Sequence, residues 1–164
     1  MALEAALEQL CSQLLALHET CTNLRTTVWE DKPLQDDVVL VDLFGNAVDD
    51  LLGLIEEALA AARDSRQAAG SSFTLQQAGH ALLICHDRHT QTSHRYSADL
   101  LSYERIRELR RFGRRRGGEW GAWSRGVKVA LDSCRQPLFD VDDALLRCWG
   151  ELIEKTGGAT FHVQ

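Results

Sequence analysis

Leu3, Leu7, Leu10, Leu14, Leu17, Cys21, Leu24 and Val28 follow one another at alternating steps of four and three, without a break. Only an α-helix gathers residues at that spacing onto one side, and a helix cannot cover its own apolar seam. The remainder of the chain must therefore supply helical partners, which makes an all-α fold the first expectation.

Punctuation divides the remainder into three further segments. After Asp31-Lys32-Pro33, a second seam runs through Leu34, Val38, Val41, Gly45, Val48, Leu52, Ile55, Leu59 and Ala62. The stretch DVVLVDLF is rich in β-branched residues, but the four-three spacing passes straight through it and predicts helix. Gly70-Ser71-Ser72 forms a loop, with Thr74 and Gln77 spaced as a capping box and Phe73 placed to staple onto Ala78. The third seam is Leu75, Ala78, Leu82, Cys85, His89, Thr92 and Tyr96. A register shift is expected near Leu100 before Tyr103, Ile106, Leu109 and Phe112, and the polar stretch His86–His94 is the place where a break would fall. Beyond the glycine- and arginine-rich turn 113–118, Trp120, Val127, Leu131, Cys134, Leu138, Val141, Leu145, Cys148 and Leu152 hold one phase across Pro137. That predicts one helix kinked at Pro137. Helices near 2–30, 34–69, 74–112 and 118–155 with short turns predict a long up-down-up-down four-helix bundle over residues 1–156, with 157–164 beginning a linker or a following element.

Composition narrows the class. With 45% hydrophobic and 26% charged residues among 164, the chain reads as one globular domain. No apolar run reaches the length of roughly 20 residues that spans a bilayer, and the acidic start MALEAALEQL is unlike a signal peptide. Five cysteines, odd in number and without a CxxC pair, are expected as free thiols in a reducing cytoplasm.

Motifs that carry chemistry are missing from the sequence. It holds no phosphate-binding glycine loop, no HExxH, no GxSxG and no ExxH pair for a di-iron site. His80, His86, His89 and His94 lie close in sequence, but helical geometry spreads them round the axis, so a metal site would need ligands from other helices. Cys85 and His89, one turn apart, could pair as thiol and imidazole, but a seam position offers a nucleophile neither access nor a lowered pKa. His89 and Thr92 are expected as a polar pair in the core. No cofactor, metal site or catalytic residue is expected, and the chain reads as non-enzymatic.

Two surfaces suggest binding. Residues 1–62 hold twelve acidic and two basic side chains, whereas residues 104–128 hold nine basic and three acidic. Arg110, Arg111, Arg114, Arg115 and Arg116 close a helix C-terminus, where cations are favourable, and Trp120 and Trp123 follow. This turn suits a protein partner, the phosphates and bases of a nucleic acid, or an anionic lipid surface; it would also neutralise the acidic first turn. The second helix carries an extra apolar stripe, Leu40, Phe44, Ala47, Leu51, Leu54 and Ala58. Phe44, Leu51 and Leu54 would seat a second copy or another helix if exposed, or serve two neighbours if the helix sits deep. The leading expectation is a cytoplasmic interaction or assembly module, at the N-terminus of a longer protein, that binds a protein partner or itself. The alternatives are a ligand- or metal-sensing bundle built on the histidines and a nucleic-acid or anionic-surface binder built on the arginine turn.

Overall fold

The computed structural model describes residues 2–32, 38–69, 75–113 and 119–157. Its regular structure is all α-helix: α1 (Ala2–Glu30), α2 (Val38–Ala68), α3 (Leu75–Gly113), α4 (Glu119–Ser133) and α5 (Arg135–Thr156). The turn at Pro33, the capping box at Thr74 with its Phe73 staple, Arg114, Arg115 and Arg116, and the tail from Gly158 lie outside the described residues.

The first seam is buried along its whole length, from Leu3 to Val28, and Cys11 joins it. α1 and α2 run antiparallel, as do α2 and α3, as their cross-links show. His18 pairs with Glu56 and Arg25 with Asp49 between α1 and α2. Arg88 pairs with Glu57 and Arg95 with Asp50 between α2 and α3. Tyr103 reaches Ser124 on α4, and His89 reaches Asp142 on α5. The Trp123 indole donates to the Val28 carbonyl, joining α4 to the end of α1. Most of the ion pairs are solvent-exposed and are worth at most about 1 kcal/mol each, so the buried seams carry the stability.

α3 is unbroken across the polar stretch His86–His94. The expected register shift near Leu100 is absent: Tyr96, Asp99, Tyr103 and Ile106 are all buried, and their spacing keeps the same alternation. A carboxylate occupies the seam where an apolar residue would normally stand, and that substitution is what disguised the register.

The fourth segment is interrupted at Cys134, three residues before Pro137. Proline has no N–H to offer the carbonyl four residues back, Ser133, and its ring crowds that position. The backbone tightens ahead of it. Cys134 N–H donates to Leu131 O at 3.1 Å, one residue closer than in an α-helix, while the Cys134 thiol takes over Ala130 O. Tyr96 of α3 donates its hydroxyl to the same Leu131 carbonyl. Gly157, with a φ of 65°, closes α5 in the left-handed conformation that glycine adopts without cost.

Candidate functional site

Four aromatic rings meet where the end of α1, the start of α2, the end of α3 and the start of α4 converge. Phe44 stands edge-on to Trp123 and tilted to Tyr103, each at 6.4 Å between centroids, and Trp120 meets Trp123 at 5.7 Å. All four are buried. Trp120 and Trp123 therefore do not extend the arginine turn into a stacking surface. Their faces are spent on the core, because α4 needs its own apolar seam from its first turn onward. The side chains of Arg110, Arg111, Arg114, Arg115 and Arg116 lie outside the described residues.

Phe44 and Leu51 are core residues, and Leu54 is half-buried. The expected partner surface on α2 is corrected by this placement: Phe44 and Leu51 lie in the core of a helix that packs against both α1 and α3.

Of the clustered histidines only His89 is buried; His86 and His94 are exposed and His80 is intermediate. His89 Nε2 lies 2.7 Å from Asp142 Oδ1. Burial pushes the imidazole below the usual histidine range, against the pull of Asp142 and, more weakly, the Leu138 carbonyl. The ring is therefore neutral near pH 7 and donates Nε2–H to the carboxylate. Its Nδ1 is buried without a hydrogen-bond partner. Thr92, the other expected polar core residue, is fully buried but donates to Arg88 O within its own helix, so the two form no network. His86 accepts from the Trp149 indole at 3.2 Å on the outside of the α3–α5 contact.

Among the described residues no group of three or more His, Cys, Asp or Glu side chains is placed to hold a metal ion. All five cysteines are buried and free. Burial pushes Cys85, Cys134 and Cys148 up to about 12, and Cys11 and Cys21 upward as well. Cys85 is accordingly no thiolate, and it makes no hydrogen bond to His89. No described helix is long and apolar enough to cross a membrane.

Two features escaped the sequence reading. Asp99 is buried on α3 with Oδ2 unpartnered; burial pushes it up to about 7, with Arg95 pulling down and Asp50 pushing up. The second is an exposed strip on α5: Phe139, Leu146 and Ile153 stand 61%, 68% and 50% exposed, one heptad apart. With Asp143 and Gly150 between them, they repeat the four-three spacing of the inner seams on the outer side of the helix. That second alternation was present in the sequence, overshadowed by the inner seam that runs beside it.

Compared with protein-family models, curated proteins and solved structures, the chain finds no match.

Proposed function

We propose that this protein is a non-enzymatic helical interaction module of the cytoplasm, folded as an up-down-up-down four-helix bundle, that binds a protein partner through the outer strip of α5. In this reading α4 and α5 form one rod, bent where Pro137 interrupts the ladder. The observation that carries the proposal is the strip itself. Three large apolar side chains stand exposed in a heptad row while the inner seams of the same helices are fully covered. Isolated exposed apolar residues are ordinary, but an aligned row of them marks a contact surface. Five buried free thiols support a reducing compartment.

The test is a photo-crosslinking amino acid placed at Phe139 or at Leu146, with the exposed position Ala60 on α2 as control, in the native cells. Discrete protein adducts from the α5 positions and none from Ala60 are expected. Equal labelling from all three positions overturns the reading.

A further inference from the structure

We propose that the occupant of this strip is a second copy of the same chain, its α5 antiparallel to the first, with Leu146 on the two-fold axis. The inference rests on the reading of the strip as a contact surface and adds what covers it.

The strip is symmetric about Leu146. Phe139 lies seven residues before it and Ile153 seven after. An antiparallel pair crossing at Leu146 therefore sets each Phe139 level with the partner's Ile153, and the two leucines against each other. Isologous contacts require that self-complementarity.

The flanking charges choose the antiparallel arrangement. Asp143 and Arg147 sit on the same flank of the strip, and neither makes an ion pair among the described residues. In the antiparallel pair, Arg147 comes to within about 3 Å, measured along the axis, of the partner's Asp143, and the symmetry makes this contact twice. A parallel two-fold pair would instead set this flank of the two copies on opposite sides of the interface, where Asp143 and Arg147 of one chain could not meet those of the other.

Gly150 fits the same geometry. It lies in the middle of α5, where glycine costs about 1 kcal/mol relative to alanine, yet a Cβ there would meet nothing within 4 Å. Nothing inside the chain requires it. In the proposed pair it stands about 6 Å beyond the axis, between the levels of the partner's Leu146 and Phe139, and leaves room for the phenyl ring. Close approach of a second helix gives this glycine a reason that the monomer does not.

Sedimentation of the purified chain at roughly 100 µM, a concentration at which modest specific interfaces register, tests the proposal. The wild-type chain is expected as a dimer. Leu146→Lys should weaken self-association at least about tenfold while its helical spectrum is retained, since that side chain touches little of the core. Asp143→Arg and Arg147→Asp should each weaken the dimer, and the double exchange should restore it. Mild oxidation of a Leu146→Cys variant should link two chains through residue 146. A wild-type chain that sediments as a monomer overturns the proposal, and so does a dimer indifferent to Leu146→Lys and to the charge exchange. If the chain is monomeric but the crosslinker at Leu146 captures one different protein, the dimer is wrong and the interaction reading stands.

Discussion

Gly45 of α2 lies directly beneath the Trp29 ring of α1, so close that a Cβ on it would come within 2.5 Å of the ring. The indole is held from two other sides as well. Its Nε1 donates to Asp49 at 3.4 Å, and the Lys32 ammonium sits 5.2 Å from the ring centroid. The ring therefore has little freedom to give way, and the glycine marks a close contact between the two helices.

Gly45→Ala is expected to destabilise by about 1–3 kcal/mol, because overpacking against a fixed ring outweighs the better helix propensity of alanine. Gly53 provides the contrast within the same helix, since a Cβ there meets nothing within 4 Å. Gly53→Ala should stabilise by up to about 1 kcal/mol. Urea melts of the two variants check both signs; equal effects would mean that Trp29 moves aside.

His89→Leu should be neutral or stabilising near pH 7, since it removes a buried unpartnered nitrogen and leaves Asp142 about half exposed to water. His89→Ala should cost about 2 kcal/mol through the cavity it leaves. The acid behaviour has a definite sign. With the folded pKa below the unfolded value of about 6.5, the unfolded chain takes up the proton first, so stability is lost as pH falls below that value. His89→Leu should lack this acid loss, which melting curves between pH 7 and 5 would show.

Asp99 acts in the opposite direction. Its carboxyl rises from 3.8 to about 7 on folding, so the folded chain holds a proton that the unfolded chain releases. Stability from this group declines as pH rises from about 4 to about 7 and then levels off, by an amount on the order of a few kcal/mol. Asp99→Asn removes the titration. The variant should melt above the parent at pH 8, and that advantage should vanish toward pH 4; a constant difference across the range would show that Asp99 is solvated.

Tyr96→Phe tests the brace at the α4–α5 interruption. The lost hydroxyl contact to Leu131 O should cost about 1 kcal/mol. Amide exchange should quicken around Cys134 and Leu138, whose N–H groups bond Leu131 O and Cys134 O there. If exchange quickens equally throughout the chain, the brace has no local role.

The helical class and most of the core were legible because the four-three spacing of Leu, Val and Cys is itself the geometry of burial. Leu3 to Val28 and Leu138 to Leu152 went from spacing to core without change. Asp99 was not legible: a charge in a seam reads as the end of one register and the start of another, and only tertiary packing shows that the seam accepts it. Phe44 was ambiguous for a different reason. A helix with two apolar stripes reads the same whether its second neighbour belongs to the same chain or to another. The strip Phe139–Leu146–Ile153 shows the converse, since exposure is a property of the neighbours and a helix carries no mark of which seam they leave open.

The buried cysteines give this protein an internal clock. Thiols held at about 12 or pushed upward by burial react with an alkylating reagent only when their surroundings open. They fall into two groups by mutual influence: Cys21 feels Cys134, whereas Cys85 feels Cys148 and Cys11. Labelling rates, resolved by mass spectrometry, would thus time the opening of two separate levels of the helix assembly in the unmodified chain. Where the two rates coincide, the molecule breathes as a whole; where they differ, the slower level is the part that unfolds last.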